Sequence, residues 1–287
     1  MFDFCSDPAS LSDGWWFACY LTTAKHLRFY LSFGTVLALL ALLVPPVIGL
    51  GLLGALARRS ALAPIRAFGW AYTSMVRGIP DIIFFLFVPI ALDQGIEWLR
   101  HKALCPGWTE PIRQGNDFAV CPAAKMPLSS APAWVHDTYG FTLAIIAYSI
   151  VFGAFAANIM HGAMQAVPRG QIEAGEAIGM SRLQILWRIH LPQMWIYALP
   201  GLSNLWMILI KATPLLFLLG VEDIVYYARE LGGMKTGVYA YPHPDWRVWY
   251  FGVLLVFYLA LSWVSERGFA RLTELAGRGQ STVRSDL

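Results

Sequence analysis

Charge is what this chain has little of: Asp, Glu, Lys and Arg make up only 14% of its 287 residues, against about 25% in an ordinary soluble chain. That shortage excludes a simple water-soluble globule. No basic run and no aromatic RNA-reading signature accompanies the net charge of +3, so nucleic acid is excluded as a partner. The six histidines, His26, His101, His136, His161, His190 and His243, lack HExxH spacing. The cysteines lack CxxC pairing and there is no GxSxG elbow, so no catalytic or metal site is expected. A GxxxxGK[ST] loop is missing too, so the chain cannot cradle nucleotide phosphates in that manner. There is no internal repeat or low-complexity tract. The first 26 residues lack a short apolar core followed by a small-residue cleavage site, and no cleaved signal peptide is expected.

What the chain has is apolar sequence: 57% hydrophobic residues and a mean hydropathy of +0.53. These residues gather into five runs, about 28 to 57, 63 to 92, 140 to 166, 194 to 221 and 247 to 266. Each reaches the roughly 20 residues that a bilayer-crossing helix needs. The expectation is an all-α membrane protein of five transmembrane helices in one domain over 1–287. Pro45-Pro46 and Gly78-Ile79-Pro80 offer places for the two long first runs to bend. Arg58, Arg59 and Arg66 crowd one short turn, and Arg267, Arg271, Arg278 and Arg284 follow the last run. The positive-inside rule then puts the N-terminus outside and the C-terminus in the cytoplasm. It makes 167 to 193 cytoplasmic, and 93 to 139 and 222 to 246 external.

Cys5, Cys19, Cys105 and Cys121 all fall in segments placed outside or at the outer face, where an oxidising compartment permits disulfides. Four cysteines allow three connectivities. Cys105 with Cys121, within one loop, is the favoured pair, and four unpaired thiols remain the alternative. Trp15-Trp16-Phe17, followed by Lys25, His26 and Arg28, reads as an anchor at the membrane interface.

The most informative stretch is the inner segment GQIEAGEAIGMSRLQILWRIHLPQ. Gln171 to Ile178 is helix-competent, Gly179 can take the positive φ that ends a helix, and Ser181 can cap the next. Pro192 interrupts the helical pattern before the following run. A compact helix-turn-helix is expected. Its EAA-like triplet Glu173-Ala174-Gly175, then Gly179, then Ile189-x-Leu191-Pro192, resembles the signature loop of ABC importer permeases. Gly175 stands where that family usually has alanine. Arg77-Gly78-Ile79-Pro80 resembles the family's RGTP segment, and ALPGLSNLWMILIKATPLLFLLGVEDI resembles the polar amino acid subfamily.

That resemblance implies a type I importer permease fold in a bacterial cytoplasmic (inner) membrane, moving a polar amino acid or a related compound such as an opine. It implies a cytoplasmic ABC ATPase dimer holding the ATP and Mg, a second permease subunit, identical or homologous, and an extracytoplasmic solute-binding protein. The loop would be a coupling helix seated in a groove of the ATPase. Glu173 would present a carboxylate, Ala174, Gly175 and Gly179 would allow close approach, and Ile178, Ile185, Ile189, Leu191 and Pro192 would complete the surface. The competing readings are an ATP-independent carrier or channel, and a membrane scaffold that docks another cytoplasmic partner.

Ionisable residues inside a span are costly and so are functional candidates. Arg77 and Asp81, four apart on an expected continuous helix, either pair structurally or meet the carboxylate and ammonium of a substrate. Lys211, in LIKATP, is expected to face the interior. Asn158 stands where the family's A-E-x-x-R-G pattern has glutamate, which suggests an altered pocket.

Overall fold

The computed structural model describes residues 5, 7–114, 117–219 and 221–278, apart from the side chains of Ala9, Val76, Arg77, Asp81, Gln114, Phe217, Leu218 and Leu219. Its helices are α1 (Asp13–Leu21), α2 (Ala24–Arg58), α3 (Ala63–Gly78), α4 (Asp81–Leu104) and α5 (Ala133–Ala166). They continue with α6 (Arg169–Ala177), α7 (Arg182–Ile185), α8 (Leu191–Ala212), α9 (Ile224–Gly232) and α10 (Arg247–Gly277). A two-residue antiparallel hairpin pairs β1 (Arg113–Gln114) with β2 (Asp117–Phe118) in the register Arg113 to Phe118. Among the described residues, five segments are long and apolar enough to cross a membrane: Ala24–Arg58, Ile82–Leu104, Ala133–Ala166, Arg182–Leu216 and Arg247–Gly277. This is a multi-pass membrane protein. On α10, Leu255, Leu259 and Trp263 are all exposed, an arrangement unfavourable in water and natural in hydrocarbon.

The run expected over 63–92 is two helices, and the candidate span is Ile82–Leu104. Ile79 (φ −126°, ψ 134°) and Pro80 (φ −58°, ψ 135°) are both extended, because a proline ring crowds the residue before it out of the helical region. The chain breaks there instead of bending. Arg77 lies in the last turn of one helix, which ends at Gly78, and Asp81 begins the next, so their expected spacing along one continuous helix does not exist.

The expected loop 93–139 shrinks to 105–132, because α4 continues through Asp93, Glu97, Arg100 and His101, and α5 begins at Ala133. Partners far along the chain satisfy these polar groups. Arg100 donates from Nε and Nη2 to the carbonyls of Ala124 and Ala123 at 3.1 and 2.9 Å. Glu97 Oε1 accepts the Met126 N–H at 3.1 Å, and His101 Nδ1 accepts that of Cys121, also at 3.1 Å. Such partners make a buried polar turn tolerable.

The chain divides into two compact units. The first comprises Met1–Leu42, Pro80–Tyr148 and Pro214–Leu254. In it Cys105 is bonded to Cys121 and Cys5 to Cys19, with Cα atoms 6.7 and 5.6 Å apart. Trp15 and Phe17 are exposed as expected of an anchor, whereas Trp16 packs on Tyr20, Tyr241 and Trp246. Beneath them runs a chain of hydrogen bonds that satisfies two buried histidines. Thr23 O–H donates to His26 Nδ1 (2.8 Å), His26 Nε2–H to Tyr250 (2.6 Å), and Tyr250 O–H to Tyr20 (3.1 Å). Tyr20 O–H donates to His243 Nε2 (3.0 Å), with the Leu231 carbonyl at 3.2 Å as a second acceptor, and His243 Nδ1–H ends on the Pro244 carbonyl (2.7 Å). With both imidazoles neutral, this one direction gives every ring nitrogen a partner.

Asp223 caps α9: its Oδ1 accepts the N–H groups of Val225 and Tyr226 at 3.1 and 2.9 Å, while Oδ2 is buried and has no hydrogen-bond partner among the described residues. Burial pushes the carboxyl up to about 6 against the pull of the capping amides. The folded state therefore keeps a proton that the unfolded chain, at an ordinary 3.8, releases. This contribution is whole below about 3.8 and is lost as pH rises through about 6. The thermal midpoint is expected to fall between about pH 4 and pH 7. Asp223→Asn, which keeps the cap acceptor without the charge, should flatten that slope; an unchanged slope would refute the assignment.

The second unit comprises Leu43–Ile79, Ser149–Thr213 and Leu255–Leu287. Its core gathers Ala55, Met160, Met164, Leu191, Met194 and Ala198. Small residues bring two backbones together here: a Cβ on Gly51 would lie 2.7 Å from that of Ala156, and one on Gly54 2.7 Å from that of Ala157. Tyr72 ties α3 to the same place by donating to the Ile150 carbonyl at 2.8 Å.

Candidate coupling and transport residues

The stretch 167–193 folds as a helix, a tight turn and a second helix. α6 ends in a Schellman turn: Met180 N–H reaches the Gly175 carbonyl (3.0 Å), Gly179 N–H reaches that of Glu176 (2.9 Å), and Gly179 sits at φ +78°. Ser181 and Gln184 then form a reciprocal capping box, with Gln184 N–H on Ser181 Oγ (3.3 Å) and Ser181 N–H on Gln184 Oε1 (2.8 Å). Pro192 does not interrupt the helical path, contrary to expectation. The π-helical turn Leu186–His190 joins α7 to α8, with Leu191 N–H bonded to the Leu186 carbonyl. This wider turn brings the chain to Pro192 in the first turn of α8, where a missing N–H costs least. His190 Nε2–H donates to the Met164 carbonyl at 2.9 Å, pinning the segment to the end of α5.

The nine residues assigned to this surface separate into two sets. Glu173, Ala174, Ile178, Gly179 and Pro192 are exposed, Ile178 at 79%. Gly175, Ile185 and Leu191 are buried and Ile189 is half-buried, so these four hold the two helices together and offer little outward surface. A Cβ on Gly175 would lie 2.8 Å from Ile189 Cδ1 and 3.3 Å from Ile185 Cγ1, so glycine here serves close packing between the helices. Leu183 and Trp187, at 64% and 62% exposure, supply outward apolar surface that the motif spacing does not mark. Their four-residue spacing, one helical turn, was the signal available in the sequence.

Of the four pathway candidates, the side chains of Asn158 and Lys211 are described. The side chains of Arg77 and Asp81 lie outside the described residues. Asn158 links three helices: its Oδ1 accepts from Arg58 Nη1 at 2.9 Å and its Nδ2 donates to the Thr73 carbonyl at 2.7 Å. Both ends of the amide are thereby engaged in helix packing. Lys211 is exposed near the end of α8.

Residues 47–272 match the family described as the binding-protein-dependent transport system inner membrane component. The chain belongs to this family. Over 168 residues it is 34% identical to the arginine ABC transporter permease protein ArtQ of Escherichia coli (strain K12). That alignment covers 58% of this chain and 64% of the relative, so just under two thirds of the relative is spanned. It is 29% identical over 230 residues to the nopaline transport system permease protein NocQ of Agrobacterium fabrum (strain C58 / ATCC 33970), covering 80% of this chain and 82% of that one. Among solved structures, the crystal structure of an amino acid ABC transporter with histidines has a TM-score of 0.56 at 22% identity, over 90% of this chain and 97% of that one. This last likeness is one of fold, and the fold is that of type I importer permeases. The family match begins within α2, so α1 and the Cys5–Cys19 bond precede it.

Proposed function

We propose that this chain is the permease subunit of an ATP-driven, binding-protein-dependent importer of a polar amino acid or a related compound such as an opine. The observation that carries the reading is the helix-turn-helix of 167–193, which has the family's motif spacing and exposes Ala174 and Ile178 together with the neighbouring Leu183 and Trp187. An amphipathic helix of this kind fits a groove on an ATPase. The relatives' names, arginine and nopaline permeases, support the substrate class.

In this reading a cytoplasmic ABC ATPase dimer holds ATP and Mg and supplies the power stroke. A second permease, identical or homologous, completes the pore, and an extracytoplasmic solute-binding protein delivers the substrate. The chain lies in the bacterial cytoplasmic membrane with its N-terminus outside, which puts both disulfides in the oxidising compartment. Affinity purification from the native membrane in mild detergent is expected to bring down a P-loop ATPase, identified by mass spectrometry. A stable preparation without one would favour the ATP-independent carrier or the scaffold.

A further inference from the structure

Within the first unit, α4, the loop before α5 and the start of α5 enclose an open cavity of about 330 Å³. Its walls are mostly apolar, from residues such as Leu86, Ile90 and Leu143, and its polar groups are Asp93, His136 and Tyr139. Asp93 is half-buried in the segment Ile82–Leu104, so its charge sits in a span, where ionisable groups are retained for a partner or a function. Tyr139 O–H donates to Asp93 Oδ1 at 2.6 Å, a bond suited to the ionised carboxylate. Among the described residues no lysine, arginine or histidine lies within ion-pairing distance of Asp93. Arg100, two turns along the same helix, is taken up by the carbonyls of Ala123 and Ala124, and Glu97 by the Met126 amide.

We infer that this cavity is a binding site for an organic cation, an ammonium or guanidinium group that pairs with Asp93 while its apolar stem lies against Leu86, Ile90 and Leu143. A single carboxylate with a tyrosine and a histidine in an otherwise apolar cleft cannot supply the oxygen ligands that Ca2+ or Mg2+ requires. It matches a monovalent cation on a carbon chain, and the volume accommodates one such group. Two sources share this chemistry: a basic amino acid from solution and the amine headgroup of a lipid. The site goes beyond the permease reading and does not depend on it.

The test uses the full chain, purified with whatever partners accompany it, in nanodiscs of phosphatidylglycerol alone. Binding of labelled L-arginine is compared with that of L-citrulline, which has nearly the same shape and the same α-amino and carboxylate groups but lacks the cation at the end of the side chain. The wild type should prefer arginine at least about tenfold, the scale of one charge-assisted hydrogen bond. Asp93→Asn should abolish that preference. His136→Lys, which places a fixed cation at an exposed position of the wall, should do the same and carries the test if Asp93→Asn does not fold. Equal binding of the two compounds by the wild type together with no ethanolamine lipid that depends on Asp93, or wild-type preference in a folded variant, overturns the site.

Repeating the measurement with phosphatidylethanolamine separates the sources. Native mass spectrometry that finds one ethanolamine lipid on the wild type and none on Asp93→Asn, undisplaced by arginine, identifies a headgroup. Displacement by arginine identifies a free cation. Whether an ATPase accompanies the wild-type chain is read in the same preparation, so the importer reading can fail while the Asp93 result stands.

Discussion

Ile178→Glu is expected to abolish substrate-stimulated uptake while leaving the fold intact. Ile178 is 79% exposed at the end of α6, beside a turn already held by its own backbone bonds and the Ser181–Gln184 box. A charge there changes little inside the protein. If the segment docks in an apolar groove of an ATPase, as proposed, the charge would be desolvated there without a partner, and loss of a central apolar anchor typically costs about 2 to 4 kcal/mol. That corresponds to roughly 30- to 1000-fold weaker association. The measurement is the amount of ATPase retained on the affinity-purified variant, with thermal unfolding as the control for folding. Leu183→Glu and Trp187→Glu should behave alike, whereas Ile185→Glu should unfold the segment, since Ile185 is buried. Undiminished ATPase on all three exposed-site variants would remove this face from the docking surface.

Gly51→Leu is expected to have the largest effect on stability. A Cβ there would meet the Ala156 Cβ at 2.7 Å and its backbone carbon at 3.3 Å, so the obstacle is a helix backbone and no rotamer change relieves it. Separating α2 from α5 would also strain the neighbouring contact of Gly54 with Ala157 and Tyr72. Overpacking of this kind costs about 3 kcal/mol, and in a membrane such close backbone approach is a main source of helix association. Gly49→Leu, two residues away on α2 with nothing within 4 Å of the added Cβ, is the matched control and should be nearly neutral. Unfolding midpoints in detergent compare the two; similar midpoints would show that the close approach is unimportant. Gly51→Leu combined with Ala156→Gly should recover part of the loss.

Which parts of this fold were legible in the sequence follows from how local each determinant is. The apolar runs that became α2, α5 and α10 are read from about 20 neighbouring residues, because the bilayer sets that length. The turn at Gly179 is equally local: positive φ, a capping serine and a glutamine three residues on lie within six positions. The end of α4 was not legible, since Asp93, Glu97, Arg100 and His101 look like a loop until their partners at 121 to 139 are known. His26, beside a lysine and an aromatic cluster, looks like a headgroup contact. It is fully buried because Tyr250, 224 residues later, takes its Nε2–H.

By itself the sequence determined that the chain is a multi-pass helical membrane protein, that it carries an importer-type helix-turn-helix, and that it has no phosphate-binding loop of its own. These depend on run length, residue type and short spacing. Only the tertiary structure decided which isoleucines of that motif face outward, that Gly175 serves packing, and that Asn158 joins three helices. The same is true of Cys5, which is bonded to Cys19, and of Asp93, which lines a cavity. The physical reason is common to all of them. A side chain's direction and its polar partner are set by whichever distant segment packs against it, and that pairing is a property of the folded chain as a whole.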